Sequence, residues 1–363
     1  MKKYLPLLFT LVSLNAIAQT SPKMDFEKYN PPSTLVVPEH KPAKAKFPFI
    51  DVHNHQFGMP DMDLGKLVTE MDALNMKVMV NLSGESGDKI KRSVANIKQN
   101  FPNRFIVFAN LDLKTVGSAG WGEQAANQLA EDVKNGASGL KIYKSLGFSV
   151  VDIDGKRVTV DDARLDPVWK KAGELKIPVL IHTADPKPFW SPMDENNERW
   201  LELATHPRRK KTDTDPAPWD TLIAEQHRLF KKHPRTTFIA AHFGWYPNDL
   251  GKLSQLLDEM PNVVVEFGAV IAELGRQPRM AKWFFTKYQD RILFGKDSWV
   301  PEEYATYFRV LETNDEYFPY HKKYHAFWPM YGMGLSDSVL RKVYYKNALR
   351  IIPNIDKSQF PTE

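Results

Sequence analysis

From Phe47 onward, short apolar runs rich in β-branched residues alternate with amphipathic stretches of helical length. This alternation predicts strands separated by helices, the arrangement of βα units around a parallel sheet. Eight strands, each followed by a helix, in roughly 300 residues are typical of a (β/α)8 TIM barrel, which we predict here. The predicted strands are 49–55, 78–82, 105–109, 140–143, 179–182, 238–242, 263–267 and 292–297.

Three of the connections that follow predicted strands are too long to be simple βα turns. They come after strands 4, 5 and 8 and cover 146–163, 185–218 and 299–335. The first contains Asp154-Gly155 between two β-branched runs, which is a hairpin signature. Because barrel enzymes hold their active sites on the face where the strands end, we expect these insertions to form walls and a lid.

The first eighteen residues have the pattern of a secretory signal peptide. Lys2 and Lys3 precede a short apolar run, and Ala16-Ile17-Ala18 is a small-x-small cleavage site, which predicts a mature chain starting at Gln19. An uncleaved anchor is less favoured because no longer apolar run follows. The chain has no cysteine, so it has neither a disulfide framework nor a lipid-anchor site.

These features predict four regions and a location outside the cytoplasm. A Pro- and Lys-rich arm covers 19–46, the barrel domain covers 47–356, and 357–363 form a tail. After cleavage near Ala18 the protein is expected to be periplasmic or secreted, without stable membrane insertion.

Charge argues against nucleic acid as a partner. The formal net charge of the 363 residues is only +5. The densest basic run, 208–211, lacks the interleaved aromatic residues of a single-strand binder, so we interpret it as a solvated helix end or rim. The expected partner is a small-molecule substrate.

Polar residues with metal-binding or acid/base chemistry stand at the ends of six predicted strands. His53 and His55 end the first strand, and residues two apart on a strand point to the same face. Alone, this pair fits zinc and hydrogen-bonded loop histidines about equally well. In a closed barrel all these strand ends converge around one axis, which favours a joint site over isolated core histidines. The other members of the set are Lys141, His182, His242, Glu266 and Asp297.

Several of these segments together resemble the amidohydrolase superfamily. They are Asp-Val-His-Asn-His at 51–55, Leu-Ile-His at 180–182, Ala-His-Phe-Gly at 241–244, Leu-Phe-Gly-Lys-Asp at 293–297 and Tyr-Lys-Asn-Ala-Leu-Arg at 345–350. The resemblance covers about 47–352. It is strongest to the branch that contains aminocarboxymuconate-semialdehyde decarboxylase and 2-pyrone-4,6-dicarboxylate lactonase.

The resemblance implies one divalent cation in the site. His53, His55, His182 and Asp297 would bind it, with Zn²⁺ expected and Mn²⁺ or Fe²⁺ as alternatives. The resemblance also places His242 beside a bound water as an acid/base group, and Asp297 could be the general base in addition to a ligand. The family resemblance further suggests a homodimer.

Lys141 has three possible roles. It could be an ammonium that receives a substrate carboxylate or carbonyl oxygen, which we favour. It could instead be a carboxylated bridge between two metals, as in binuclear relatives, or a structural ion pair with Glu266. The neighbouring Tyr143 is a further candidate for substrate binding.

Other residues after the strands could complete a substrate pocket. Arg276 is a candidate carboxylate anchor, although a surface role is equally consistent with its position. Trp190, Trp245 and Trp299 follow strands closely enough to line a pocket or to form loop cores. Together with Lys141, Tyr143 and Glu266, our predicted substrate-binding set includes Trp245, Arg276 and Trp299.

We therefore expect an exported metal-dependent hydrolase. It would attack an ester, lactone or amide bond of a small carboxylated substrate with metal-activated water. The alternative from the same ligands is a non-oxidative metal-dependent decarboxylase of a small carboxylic acid. A barrel that only binds a metal or small molecule is a third hypothesis, which retention of the whole acid/base and ligand set disfavours.

Overall fold

A computed structural model describes residues 23–25 and 28–362. The predicted signal peptide, 1–18, lies outside the described residues. The chain divides into two units, 1–35 and 36–363. In the first unit, Lys28 and Asp25 form an ion pair at 2.8 Å, and the N–H of Leu35 donates to Ser33 Oγ.

The second unit is built on eight parallel strands in sequence order. The strands are β1 Phe49–Asn54, β2 Met76–Asn81, β3 Phe105–Val107, β4 Leu140–Ile142, β5 Val179–Ile181, β6 Phe238–Ala240, β7 Val263–Glu266 and β8 Ile292–Leu293. They pair as β1-β2-β3 and as β4-β5-β6-β7-β8. Ala109 bridges to Leu140 between the two sheets, and the N–H of Val52 donates to Phe294 O at 2.9 Å. These two connections close the barrel, so the predicted (β/α)8 fold is confirmed.

Helices follow the strands and cover the barrel. Their bounds are α1 Leu64–Ala73, α2 Asp88–Asn100, α3 Trp121–Lys134, α4 Ser145–Phe148, α5 Asp166–Glu174, α6 Trp200–Thr205, α7 Trp219–Lys232, α8 Leu250–Glu259, α9 Ile271–Gly275, α10 Pro278–Lys287, α11 Tyr304–Glu312, α12 Asp337–Arg341 and α13 Asn347–Ile351. A π-helical turn, Lys342–Lys346, joins the last two. Each longer helix buries one apolar stripe; Leu64, Leu67, Val68 and Met71 do so in α1.

Several strands are shorter than the sequence pattern predicts. The predicted strand 238–242 ends at Ala240, because His242 adopts a left-handed backbone conformation that cannot continue a strand. The predicted strand 292–297 pairs only over Ile292–Leu293, and Asp297 has a φ of 87°. His242 and Asp297 therefore stand on turns just beyond the strands, whereas His53, Lys141 and Glu266 lie within β1, β4 and β7.

The segments after β4, β5 and β8 carry short elements of their own. The first holds an antiparallel bridge between Val151 and Arg157, and the second holds 3-10 turns and α6. The third holds α11 and an antiparallel bridge between Phe318 and Met330. No helix in the described part of the chain combines the length and the hydropathy needed to cross a bilayer.

Part of the predicted arm packs against the barrel. Ala45 is buried and its N–H donates to Leu74 O at 3.1 Å. His40 Nδ1 lies 2.6 Å from Asp315 Oδ1. Residues 36–46 thus belong structurally to the second unit.

Candidate active site

The two histidines of the first strand are held by their Nδ1 atoms. His53, at the end of β1, is buried, and its Nδ1 lies 2.9 Å from Glu266 Oε1. His55 Nδ1 lies 2.8 Å from Ser83 Oγ. In both rings these contacts leave Nε2 pointing away from its anchor, as in ligand histidines oriented by a second partner.

Asp297 faces both of these Nε2 atoms. Its Oδ1 lies 3.4 Å from His53 Nε2 and 3.6 Å from His55 Nε2. The backbone N–H of Asp297 donates to His53 O at 2.7 Å, which fixes the carboxylate to the first strand. The three side chains form a compact group of metal-binding type, with ligand atoms within 4.8 Å of one another.

His182 and His242 form a second pair next to this group. His182 Nδ1 lies 3.3 Å from His242 Nε2, and the ring centroids of His242 and His53 are 5.2 Å apart. His182 Nε2 lies 2.8 Å from Ala184 O, and His242 Nδ1 lies 2.6 Å from Gly268 O. Among the described residues, His182 is not within the 4.8 Å groups formed around His53.

A left-handed turn after β6 places His242. His242, Phe243, Gly244 and Trp245 have φ values of 56°, 57°, 56° and 63°. Three of these residues carry a Cβ, so the turn costs free energy that surrounding contacts must offset. The N–H of His242 donates to Glu266 Oε1 at 2.9 Å, which is one such contact. Strain of this kind concentrates at functional sites, and here it directs the imidazole toward the barrel axis.

The hydrogen bonds determine which ring nitrogens lack a proton. A carbonyl oxygen can only accept, so His182 Nε2 and His242 Nδ1 must carry the protons that Ala184 O and Gly268 O receive. The carboxylate of Glu266 likewise accepts the Nδ1 proton of His53.

The protonated nitrogen of His55 follows from the hydrogen bonds of two hydroxyl groups, those of Tyr143 and Ser83. The hydroxyl of Tyr143 donates to Leu82 O at 3.2 Å and lies 2.9 Å from Ser83 Oγ. Ser83 then donates to Tyr143, which leaves Ser83 Oγ to accept from His55 Nδ1.

Four ring nitrogens therefore present lone pairs: His53 Nε2 and His55 Nε2 beside the Asp297 carboxylate, and His182 Nδ1 and His242 Nε2 in the neighbouring pair. Two of them, His182 Nδ1 and His242 Nε2, face each other at 3.3 Å. Facing lone pairs are unfavourable unless a proton or a cation lies between or beside them. Neutral imidazole nitrogens and one carboxylate are the donor set that a catalytic zinc-type ion takes, so the residues present fit a divalent cation.

Glu266 links three parts of the site through its two carboxylate oxygens. Its Oε1 receives His53 Nδ1 and the N–H of His242, and its Oε2 receives the N–H of Gly268 at 2.6 Å. The carboxylate is fully buried. A Cβ at Gly295 would lie 2.3 Å from Glu266 Oε2, so glycine is needed there for the close approach. Both oxygens of Glu266, which the sequence pattern placed among the substrate contacts, are thus engaged by His53, His242 and Gly268, and Glu266 does not line the cavity.

Burial favours the neutral form of His53, His55 and His182. It lowers the pKa of His53 and of His182 well below the usual value, and the charge of nearby Lys141 adds to this effect for His53. Burial lowers the pKa of His55 to about 4. Burial alone would raise the pKa of Asp297, but its electrostatic interactions with the surrounding His53, His242, His55 and Lys141 side chains outweigh burial and leave the pKa below its usual value. Neutral imidazoles beside an ionised carboxylate suit cation binding.

Lys141 lies beside His53 and does not line the cavity. It is 1% exposed, and its Nζ is 3.4 Å from His53 Nε2. Burial lowers its pKa to about 8. Its Nζ also lies 5.5 Å from the centroid of the Tyr143 ring, and Tyr143 stacks on His55 with a centroid distance of 5.6 Å.

A cavity of about 290 Å³ opens over His182, His242 and Asp297. Its lining combines four cationic side chains, four carboxylates and several aromatic rings, and most of these come from the segments after β5 and β8. The charged residues are Lys144, Arg209, Lys296, Lys322, Asp185, Glu202, Glu303 and Asp297.

The predicted pocket residues are placed differently from one another. Trp245 lines the cavity, and its ring centroid is 4.7 Å from that of His242. Arg276 is outside the lining, and its guanidinium is paired with Glu198 at 2.8 Å. Trp299 is also outside it and donates its Nε1–H to Glu70 at 2.9 Å. Trp190 donates its Nε1–H to Ala217 O.

Sequence reasoning did not assign a role to Asp51. This buried carboxylate accepts from the N–H groups of His53 and Lys296 at 3.0 and 3.1 Å and from the hydroxyl of Tyr304 at 2.6 Å. It therefore joins the end of β1 to the end of β8. The only signal was its place two residues before His53, inside the apolar run of a strand, where an unpaired acid would be costly.

Comparison with known proteins places this site in a family. The amidohydrolase family model matches residues 41–353. No curated protein sequence matches the chain significantly.

Two solved structures share the fold at low sequence identity. One is an uncharacterised TIM-barrel protein from Bordetella bronchiseptica, with 16% identity and a TM-score of 0.53 over 84% of this chain and 97% of that one. The other is 2,6-dihydroxybenzoate decarboxylase from Rhizobium, with 15% identity and a TM-score of 0.54 over 84% of this chain and 98% of that one. With the family match covering the whole barrel and its strand-end residues, the chain belongs to the amidohydrolase family.

Proposed function

We propose that this protein is an exported metal-dependent hydrolase of an ester, lactone or amide bond in a small carboxylated molecule. The observation that carries the proposal is that His182, His242 and Asp297 line one cavity while Asp297 also faces the Nε2 atoms of His53 and His55, which gives one carboxylate and four unprotonated ring nitrogens in adjoining groups. Such a set combines cation binding with proton transfer beside a space of substrate size.

The residues that would hold the cation are His53, His55, His182 and Asp297. When bound, a divalent ion supplies Lewis-acid polarisation of a carbonyl oxygen and lowers the pKa of water. Zn²⁺ is the proposed ion, and Mn²⁺ and Fe²⁺ take similar donors.

His242 is the proposed proton acceptor. Its Nδ1–H is held by Gly268 O at 2.6 Å, so its Nε2 can accept a proton from an attacking water. The adjacent Trp245 ring shields the imidazole from bulk solvent on one side. Glu266 Oε1 accepts hydrogen bonds from both His53 Nδ1 and the N–H of His242. The same carboxylate therefore fixes the proposed ligand His53 and the proposed proton acceptor His242 relative to each other.

The cations of the cavity support a carboxylated substrate. Lys144 pairs with Asp185 at 2.6 Å, and Lys322 pairs with Glu303 at 2.7 Å. Each cation thus has a fixed direction but keeps further N–H donors for a ligand, since an ammonium has three and a guanidinium five. Arg209, held by Glu202, offers the planar fork that suits a carboxylate.

Export is proposed from the leader sequence at 1–18. Cell fractionation with N-terminal sequencing of the recovered protein checks it, and a mature chain starting at Gln19 in the periplasm or medium is expected. An intact Met1 terminus in the cytoplasmic fraction would contradict it.

The activity is tested with purified protein loaded with Zn²⁺ or Mn²⁺. Lactones, esters and amides that carry a second carboxylate, together with hydroxybenzoates, are assayed for acid release in a pH-stat and for CO₂ release. Acid release without CO₂ is expected; CO₂ release would establish the decarboxylase alternative instead. Metal binding with neither product would favour a barrel that only binds.

A matched pair of variants ties the activity to the site. His242→Asn should lower turnover by about two orders of magnitude, the usual contribution of a general base. His227→Asn is the control, because His227 lies on α7 outside the cavity lining. Equal losses in both variants would contradict the role of His242.

A further inference from the structure

A second group of titratable side chains faces the same cavity from the long segments after β5 and β8. Glu202 lies on α6, Arg209 follows in a 3-10 turn, and His325 lies in the segment after α11. All three line the cavity together with His242 and Asp297. The mechanism above uses Arg209 for substrate binding and leaves the other two without a role.

Glu202 is the centre of this group. Its side chain is 1% exposed, yet it remains a carboxylate because two arginines pair with it. Arg199 donates to its Oε2 at 2.8 Å, and Arg209 donates to its Oε1. Burial opposes the charge, but His325, Arg199 and Arg209 together lower the pKa of Glu202 to about 2.

His325 is oriented by this carboxylate. Its Nδ1 lies 3.6 Å from Glu202 Oε1, within ion-pair distance. Its backbone is fixed as well, because Arg199 Nη1 donates to His325 O at 2.7 Å and the N–H of His325 donates to Lys322 O at 2.9 Å. The same arginine therefore holds both the acid and the main chain of the histidine.

The other ring nitrogen of His325 has no partner. Its Nε2 is buried and makes no hydrogen bond within the described part of the chain. A buried polar atom without a partner costs free energy, and a residue kept in that state at a cavity wall is suited to a ligand that completes the bond. A carboxylate on Nδ1 and a free Nε2 is the arrangement that general acid/base histidines use.

We propose that His325 is the proton donor to the leaving group in the hydrolysis proposed above, on which this inference rests. The water proton goes to His242 Nε2 as the new acyl–oxygen bond forms. As the bond to the leaving oxygen or nitrogen breaks, that atom takes a proton from Nε2 of the His325 imidazolium. Solvent exchange then removes the proton from His242 and restores that of His325.

The surroundings of His325 fit this division of roles. On one side Glu202 Oε1 lies 3.6 Å from Nδ1, and the cationic side chains of Arg209 and Lys322 line the same cavity. The ring of Tyr320 lies 5.6 Å from that of His325 and limits its rotation. His242, by contrast, is turned toward His182. Two different imidazoles thus serve the attacking and departing atoms.

A pair of esters that differ only in the leaving group tests the proposal. The probes are the methyl and 4-nitrophenyl monoesters of glutaric acid. Methoxide needs a proton to depart, whereas 4-nitrophenolate does not. We expect His325→Gln to lower kcat for the methyl ester by about 100-fold and for the nitrophenyl ester by no more than about threefold.

Two further variants separate proton donation from structural effects. Glu202→Gln should lower the pH at which the acid form of His325 is lost, seen as an acid shift of the descending limb of kcat against pH for the methyl ester. His321→Gln is the matched control, because His321 lies in the same segment but does not line the cavity, and it should affect both esters equally and weakly.

The outcomes distinguish this inference from the proposed function. Wild-type protein that hydrolyses neither ester contradicts the hydrolase function and the donor role with it. Active wild-type protein whose His325→Gln variant loses the same factor on both esters overturns the donor role alone. A methyl-ester loss confined to His325→Gln, with the shifted pH limb in Glu202→Gln, supports it.

Discussion

His182 Nδ1 and His242 Nε2 lie 3.3 Å apart, and the remaining nitrogen of each ring is bonded to a backbone carbonyl. Because both outer nitrogens must carry protons, the two facing nitrogens are both acceptors. The pair is therefore favourable only when a cation or an additional proton is near it. Substituting each histidine in turn tests which of them binds a cation and which accepts a proton.

The first prediction concerns which histidines retain metal. Purified protein should hold about one divalent ion per chain, and His182→Asn should lose most of it because a ligand is gone. His242→Asn should keep its metal, since His242 is proposed to transfer protons. Elemental analysis after dialysis against a weak chelator measures both. Equal metal loss in the two variants would make His242 a ligand, and two ions per wild-type chain would make Lys141 a bridge.

The second prediction uses the close contact between Gly295 and Glu266. A Cβ at position 295 would lie 2.3 Å from Glu266 Oε2 and 3.0 Å from His53 Cβ. Gly295→Ala must displace the carboxylate that orients His53, so metal affinity should fall by about 10- to 100-fold, as when an outer-shell partner is lost. Competition with a fluorescent chelator measures the affinity.

The control for this change is Gly58→Ala. A Cβ there meets only Met62 Cε at 3.5 Å, an ordinary contact. Its metal affinity should equal that of the wild type. If Gly295→Ala also retained full affinity, Glu266 would not be needed to hold His53.

The third prediction concerns the pH dependence that Asp51 contributes. Burial raises the pKa of Asp51 to about 6, although hydrogen bonds from Tyr304, His53 and Asn54 oppose the rise. The folded state thus binds this proton more tightly than the unfolded chain, whose pKa is near 3.8. This tighter proton binding stabilises the folded state. The stabilisation is fully present below pH 3.8 and is lost as the pH rises through about 6.

Asp51→Asn should remove this dependence. We expect a loss of about 2 kcal/mol in stability at pH 4, because an amide nitrogen in the place of Oδ2 cannot accept the hydrogen bond that Asn54 donates there. The difference in stability between wild type and variant should shrink as the pH rises from about 4 to about 6. Urea unfolding of chelator-treated protein at several pH values measures it. A difference that is constant with pH would show that Asp51 is ionised throughout.

The sequence was enough to predict which polar residues meet at the barrel rim. The alternation of apolar runs locates the strands, and a polar residue at the end of a strand must then lie at the rim. His53, His55 and Asp297 meet as expected, since residues at the carboxyl ends of parallel strands converge at one rim. The contacts of Glu266 could not be predicted. Its direction depends on the left-handed turn that begins at His242, and no local residue pattern indicates that turn.

The cavity walls were harder still to predict. The aromatic and charged residues after β5 and β8 have no period, so their pairing depends on tertiary contacts between distant segments. Arg199 illustrates this, because it contacts Glu202 three residues away and His325 O 126 residues away. Glu202 and His325 therefore carried no recognisable signal in the sequence.

The last prediction compares two arginines as substrate anchors. Arg276 is paired with Glu198 at 2.8 and 3.1 Å and stacks 4.1 Å from the centroid of the Trp328 ring, outside the cavity lining. Arg209 lines the cavity and is 43% exposed in its side chain. Only the second arginine can reach a ligand without breaking its existing contacts.

Arg276→Ala should therefore change KM by less than about twofold and lower the free energy of unfolding by about 1 kcal/mol, as expected for a partly exposed ion pair with a stacked ring. Arg209→Ala should raise KM by about tenfold or more for a carboxylated substrate, the cost of one charge-assisted hydrogen bond. Steady-state kinetics and thermal unfolding of the two variants provide the comparison. A large rise in KM for Arg276→Ala alone would show that the segment carrying this arginine rearranges on substrate binding and that Arg276, as its sequence position suggested, anchors the carboxylate.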